Sequence, residues 1–131
     1  MVIKPDQLQS AVMGELNQYS AAIGRATAEK LPKVGKEAAK MIRKSAPRRK
    51  GKGGGEYAKT WTSKAEKGRL VTEVTVYAKA PGYKLAHLLE HGHANRDGGR
   101  TNGIEHIKPA ETWANEEAEK VIVEAIEEAG R

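Results

Sequence analysis

"YAKTWTSKAEKGRLVTEVTVYAK", residues 57–79, is the stretch that decides the fold. In 57–66 and again in 69–79, side chains alternate along the chain and many are β-branched or aromatic, which is typical of β-strands. "EKGR" between them predicts a tight turn, with Gly68 at the position that needs a positive φ. The sequence therefore predicts an antiparallel hairpin that begins at Tyr57.

A long helix is expected before the hairpin. Apolar residues recur every three or four positions from Leu8 to Ile42, which predicts a helix from Pro5 to about Lys44. Pro32 lies inside it and is expected to kink or break it, because proline lacks the N–H of a helical hydrogen bond. Between helix and hairpin, the basic, glycine-rich segment 46–56 predicts a mobile loop.

Two helices are expected after the hairpin. Leucines mark one face of a short helix that Gly92 would end, and a polar loop of turn residues follows. The last helix has Pro109 in its first turn, where proline is tolerated. The order predicts an α+β fold in one domain, residues 1–131: a long N-terminal helix, a hairpin or small antiparallel sheet, a short helix, and a C-terminal helix packed on the sheet.

The composition limits the possible functions. Of the 131 residues 38% are hydrophobic and none is cysteine, which excludes disulfides and zinc–thiolate sites. No apolar run is long enough for a membrane span, and the polar N-terminus does not resemble a secretory signal, so we expect folding in a cytosol-like compartment. A small polar chain with a thin core also suggests stabilisation by assembly.

Charge is unevenly distributed along the chain. The net charge is +6, yet residues 25–52 carry eleven Lys/Arg against two Glu, and residues 110–131 carry seven Glu against one Lys and one Arg. This polarity suits contact with a polyanion or head-to-tail contact between copies of the chain. It is equally compatible with two solvated helix faces.

"HLLEHGHANRDGGR", residues 87–100, raises the question of a metal or catalytic site. His87 and His91 have the i, i+4 spacing of two ligands on one helix face, and His93 or His106 could supply a third nitrogen. However, Leu88 stands where a zinc-protease motif needs glutamate, and no cysteine, serine-elbow or phosphate-loop pattern is present. We therefore expect no catalytic residue, metal or cofactor. A metal-dependent enzyme that uses these histidines ranks third, behind the two alternatives described next.

A nucleic-acid contact is the second alternative. Arg48, Arg49, Lys50 and Lys52 lie on the glycine-rich loop and could meet phosphates. No helix-turn-helix, zinc-finger or RNA-binding signature is present, so base-specific recognition is not indicated. The chain could accordingly be a small basic protein that binds nucleic acid without sequence preference.

Two segments resemble one protein family. "SAPRRKGKGGGEYAKTWTSK", residues 45–64, is similar to the family's linker into its first strand, and "YKLAHLLEHGHANRDGGRTNGIEHIKPAE", residues 83–111, is similar to its short helix, glycine loop and His-Ile-x-Pro-Ala helix entry. The family is that of small tail-component proteins of long-tailed phages and prophages, also called gene-product-ten-like neck or tail-completion proteins. The resemblance covers about residues 40–125, and the long N-terminal helix by type.

This resemblance implies a structural protein without enzymatic activity. It would lie in the virion at the head–tail junction after assembly in the host bacterial cytoplasm. It would form a ring with head-completion, connector and tail-terminator proteins as neighbours, away from any membrane. The basic loop would face the genomic DNA or a partner protein. The matching positions near the short helix are implied to be structural residues of a corner and are His87, Glu90, His91, Gly92, His93, His106 and Pro109.

Overall fold

The computed structural model describes residues 5–48, 55–68 and 71–130. These residues form four helices and two small antiparallel sheets, and the α+β expectation is confirmed. In chain order the elements are α1 (Pro5–Ser45), α2 (Glu56–Lys59), β1 (Trp61–Lys67), β2 (Thr72–Ala78), α3 (Tyr83–His91), β3 (Gly92–Ala94), β4 (Arg100–Asn102) and α4 (Lys108–Ala129).

Helix α1 is continuous through Pro32, so the proline does not divide it. A proline inside a helix costs about 3 kcal/mol. Buried residues lie on both sides of this position, with Thr27 before it and Ala38, Ala39 and Ile42 after it. Packing on both sides therefore holds the helix together across the lost hydrogen bond.

The hairpin is confirmed, but its first strand begins later than the alternation predicts. Residues 56–59 form the single turn α2, which buries Tyr57 and Ala58, and β1 starts at Trp61. Gly55, with φ 88°, turns the chain into this helix. Alternation over four residues cannot distinguish a strand from one helical turn, and burial of two adjacent side chains favours the turn.

The pairing of β1 with β2 runs from Trp61 opposite Ala78 to Lys67 opposite Thr72. The expectation of a positive φ at Gly68 is wrong, because only Gly55, Gly92 and Gly98 have positive φ among the described residues. The N–H of Gly68 instead donates to the carbonyl of Val71 at 2.7 Å. Residues 69–70 of the turn lie outside the described residues.

Helix α1 is the centre of the packing. One side of it contacts both strands of the hairpin, and α4 runs antiparallel along another side. The expectation that α4 packs on the sheet holds for its first turn, where Ala110 joins the core, while the rest of α4 lies along α1. The buried core residues are Ile42, Ala46, Tyr57, Ala58, Trp61, Ala78 and Ala110.

Polar contacts join the N-terminal and middle parts of α1 to the C-terminal part of α4. Lys30 lies 3.9 Å from Glu124 and 3.7 Å from Glu128, and the Tyr19 hydroxyl donates to the Ile126 carbonyl at 3.3 Å. The basic stretch of α1 and the acidic last helix are thus neighbours within one chain. Part of their charge complementarity is therefore used inside the subunit.

The polar loop expected after α3 contains a second, smaller hairpin. Gly92 pairs with Asn102 and Ala94 with Arg100 across β3 and β4. Gly98, with φ 91°, lies in the connecting turn. No helix within the described ranges has the length and apolar character needed to span a membrane.

Candidate functional site

The site is the corner where α3 ends and α4 begins, and Glu90 is its central residue. The side chain is 7% exposed, and its two oxygens accept three backbone N–H groups. Oε1 accepts from His106 at 2.8 Å and Ile107 at 2.9 Å, and Oε2 accepts from Lys108 at 2.9 Å. A helix N-terminus leaves its first N–H groups without internal partners and carries partial positive charge. Glu90 therefore caps α4 from a different helix.

The sequence around the start of α4 explains why a remote cap is needed. The residue at the N-cap position is Ile107, which has no side-chain acceptor. Pro109 has no N–H, so it removes one of the donors that would otherwise need a partner. The first backbone hydrogen bond of the helix runs from Glu111 N–H to the Ile107 carbonyl at 2.9 Å. Of the donors before it, the N–H groups of Ile107 and Lys108 bind Glu90.

His106 lies fully buried beside this cap, with 0% exposure. Its Nδ1 is 2.8 Å from the Ile104 carbonyl and 3.0 Å from Oε1 of Glu90, and its Nε2 is 2.7 Å from the Tyr57 hydroxyl. Two acceptor oxygens face Nδ1, so we assign the ring proton to Nδ1, which donates to them. Nε2 then accepts a hydrogen bond from the Tyr57 hydroxyl. Both ring nitrogens are therefore engaged.

Aromatic packing completes the corner. The rings of Tyr57, Trp61 and His106 lie edge to face, with centroids 5.5–6.5 Å apart. Burial raises the pKa of the Tyr57 hydroxyl, and the negative charge of Glu90 raises it further. The nearby indole N–H of Trp61 acts in the opposite direction, although its geometry does not make a hydrogen bond. Tyr57 thus stays protonated and available as the donor to His106.

Two glycines let the chain cross itself at this point. Gly92 ends α3 with φ 81° and ψ 177°, and a side chain there would meet the backbone of Thr101 and Gly103. A side chain on Gly103 would meet the backbone of Glu90, His91 and Gly92 in return. Two hydrogen bonds stabilise the crossing. The Ile104 N–H donates to the Leu89 carbonyl at 2.8 Å, and the Arg100 guanidinium donates to the His91 carbonyl at 2.9 Å.

The charge on Glu90 is stabilised by its donors. Burial alone would raise the pKa of this carboxyl, but the N–H groups of His106, Ile107 and Lys108 together lower it below its ordinary value of 4.5. A carboxyl whose pKa is lowered by folding stabilises the fold above its unfolded-state pKa. That stabilisation is lost as the pH falls through the folded-state pKa.

We expect the unfolding midpoint in urea to decrease as the pH falls below about 4.5, as the Glu90 carboxylate becomes protonated. A Glu90→Gln variant has no charge to lose at this position, so its midpoint should decrease less over the same range. Urea titrations of both proteins from neutral to acidic pH measure the difference. Parallel curves for the two proteins would contradict the assignment.

The structure separates the histidines that the sequence brings together. His87 and His91 are exposed on α3 with ring centroids 4.8 Å apart, whereas His106 lies in the buried network and His93 is on β3. Because both nitrogens of His106 are engaged, it cannot complete a site with His87 and His91. Among the described residues, no group of three or more His, Cys, Asp and Glu side chains is arranged to hold a metal ion.

The predicted contact loop is only partly described. Arg48 is exposed, and its guanidinium donates to the Arg43 carbonyl at 3.0 Å in the last turn of α1, where a cation is favoured. Arg49, Lys50 and Lys52 lie outside the described residues, as does the expected mobility of their loop. Arg48 thus caps α1 as well as facing solvent.

The family resemblance singles out Glu90 and His106, but the sequence does not indicate the remote cap or the role of Tyr57. A signal for the cap was present, because a helix that starts at Ile107-Lys108-Pro109 has no Ser, Thr, Asp or Asn to satisfy its first donors. Tyr57 was assigned to a strand, so no contact with His106 was expected. The position of α2 had no comparable signal.

Large apolar side chains are exposed toward both ends of the molecule, each 42–53% exposed. The α3 surface consists of Leu85 and Leu88, three residues apart on α3, with Leu85 next to the C-terminal end of α1. The residues called the far-end surface are Met13 and Leu16 on the N-terminal part of α1 and Ile122 and Ile126 on the C-terminal part of α4, which contacts α1 at Tyr19. From Met13 to Ile42, α1 spans about 43 Å at 1.5 Å per residue.

The model of the family described as "Bacteriophage HK97-gp10, putative tail-component" matches residues 10–92. This range contains most of α1, the hairpin and all of α3, and it ends at Gly92, before His106 and α4. No curated protein and no solved structure matches the chain.

Proposed function

The chain belongs to the HK97-gp10-like family of bacteriophage tail components, and from this premise we propose that it is a structural subunit of the head–tail junction. In this proposal copies of the chain assemble into a ring that joins the head connector to the tail. Its neighbours are the head-completion, connector and tail-terminator proteins. The protein folds as one domain in the host bacterium and functions in the virion.

The observation that carries the ring proposal is the pair of apolar surfaces at opposite ends of the subunit. Patches of large exposed side chains commonly mark protein contacts. A ring needs heterologous contacts, in which two different surfaces of one subunit meet a neighbour on each side. The α3 surface and the far-end surface differ in residues and are separated by most of the length of α1. They suit contacts with different neighbours.

The Glu90 corner gives this proposal its structural basis. Glu90 and His106 join the end of α3 to the start of α4, and Tyr57 ties both to α2. This fixes the direction of α3, on which Leu85 and Leu88 are displayed. We infer that the corner residues position an assembly surface. The carboxylate and imidazole of the corner are engaged by protein groups, which supports a role without catalysis or cofactor.

Charge placed on the α3 surface should disrupt assembly without unfolding the subunit. In a phage deleted for this gene, a Leu85→Asp/Leu88→Asp variant is expected to reduce infectious particles at least about 100-fold relative to wild type, because two leucines contribute about 1.5–3 kcal/mol each when buried. Plaque titres after complementation measure this. Circular dichroism checks that the variant is folded.

Val71→Asp is the matched control, since Val71 is 73% exposed and belongs to neither apolar surface. It should complement to wild-type titres. If the Leu85/Leu88 variant complements equally well, the α3 surface is not an assembly surface. If Val71→Asp fails as badly, the loss reflects any added charge rather than this surface.

A further inference from the structure

Helix α1 carries a row of lysines on its solvent side. Lys33, Lys36, Lys40 and Lys44 follow at steps of three and four residues, which places them on one face, and all four are exposed. They span about 16 Å of helix at 1.5 Å per residue. We call these four residues the lysine face.

The lysine face points away from the rest of the subunit. The opposite side of α1 buries Ala38, Ala39 and Ile42 against α4 and the hairpin. Lys30 reaches the carboxylates of α4, but none of the four lysines forms an ion pair with a carboxylate of the described residues. Glu29 and Glu37 share this side of the helix and leave it with a positive balance.

We propose that the lysine face binds the phosphate backbone of double-stranded DNA. The duplex carries about one negative charge per 1.7 Å of its axis, so a 16 Å row of ammonium groups meets several phosphates. Lysine is a compact point charge that contacts phosphate without requiring a particular base. The inference rests on the proposed function, in which a ring at the junction surrounds the DNA, and it assigns α1 to the inner side.

The composition of the face favours DNA over an acidic protein partner. The centres of protein–protein interfaces are enriched in aromatic residues, Met and Arg, and they are depleted in Lys. None of the large exposed apolar residues of the described chain lies between residues 25 and 44. Of the loop residues predicted to contact phosphates, Arg48 has its guanidinium bonded to the end of α1. The lysine face is therefore a stronger candidate than Arg48.

Binding of the full-length protein to a mixed-sequence duplex of about 30 base pairs, titrated at several salt concentrations, tests the proposal. Lys33, Lys36, Lys40 and Lys44 are changed together to Gln. We expect at least tenfold weaker binding at about 0.15 M salt, and a slope of log affinity against log salt that is shallower by about 3–4. The control changes Lys59, Lys67, Lys79 and Lys108 to Gln; they carry the same charge and are also exposed, but they lie outside α1. Its slope should change by less than about one.

Equal losses in both variants would show that only net charge matters, and this would overturn the proposal, as would wild-type binding by the first variant. Stronger binding of wild type to polyglutamate than to the duplex would assign the face to an acidic protein instead. If the fourfold variant does not fold, Lys36→Gln/Lys40→Gln should show about half the change in slope. Ring formation and incorporation into virions are measured separately from DNA binding. If the wild-type protein forms rings but does not bind the duplex, this inference fails and the proposed function stands. If the wild-type protein binds the duplex but forms no rings, the proposed function fails.

Discussion

Glu90→Ala is expected to lower the free energy of unfolding by about 3–5 kcal/mol. The substitution removes a carboxylate that accepts three backbone N–H groups at 2.8–2.9 Å and leaves those donors in a buried corner. It also removes the negative charge beside the N-terminus of α4 and beside the imidazole of His106. Urea unfolding followed by circular dichroism measures the change.

Two variants show whether this loss comes from capping. Glu90→Gln keeps one acceptor oxygen, so we expect it to cost less than Glu90→Ala, about 1–3 kcal/mol. Glu105→Ala removes an exposed carboxylate from the same loop and should change stability by less than about 0.5 kcal/mol. If Glu90→Ala behaves like Glu105→Ala, the buried corner does not hold α3 and α4 together.

Gly92→Ala is expected to be the second most damaging substitution, at about 3 kcal/mol or more. With φ 81° and ψ 177°, Gly92 occupies a region of backbone conformation essentially restricted to glycine. An added Cβ would also lie 2.7 Å from the backbone nitrogen of Gly103, on the chain that crosses at this point. Backbone atoms paired in a ladder cannot move away as a flexible side chain can. Thermal unfolding of the variant measures the cost.

Gly98→Ala separates the cost of the backbone conformation from the cost of the close contact with the crossing chain. Gly98 also has a positive φ, 91°, but a Cβ there meets nothing within 4 Å. Its replacement should therefore cost only the conformational part, about 1 kcal/mol. A similar loss in Gly92→Ala and Gly98→Ala would show that the close chain crossing adds nothing, contrary to the structure.

The elements that the sequence predicted well are those with long, regular patterns. Helix α1 follows from an apolar stripe of more than thirty residues, and packing on both sides of Pro32 carried it through the proline. The hairpin follows from β-branched residues in β2. The short elements were not predictable in this way. Residues 56–59 form a helical turn because Tyr57 and Ala58 find room in the core, which is a property of the tertiary packing.

In the candidate site too, residues with local sequence signals were predictable and contacts between distant residues were not. The residues near Glu90, Gly92, His106 and Pro109 could be singled out from sequence, since helix ends and turns have local signals. Their contacts could not, because Glu90 and the N–H groups that it binds are 16–18 residues apart. Tyr57 is 49 residues from its partner His106. No spacing rule connects such residues, and only the fold shows that they meet.

The most direct test of the proposed function is electron microscopy of lysates from a phage lacking this gene. A structural subunit of the head–tail junction predicts that DNA-filled heads and complete tails accumulate separately. Supplying the wild-type protein should restore joined virions, whereas the Leu85→Asp/Leu88→Asp variant should not. Normally joined particles in the absence of the gene would contradict the account.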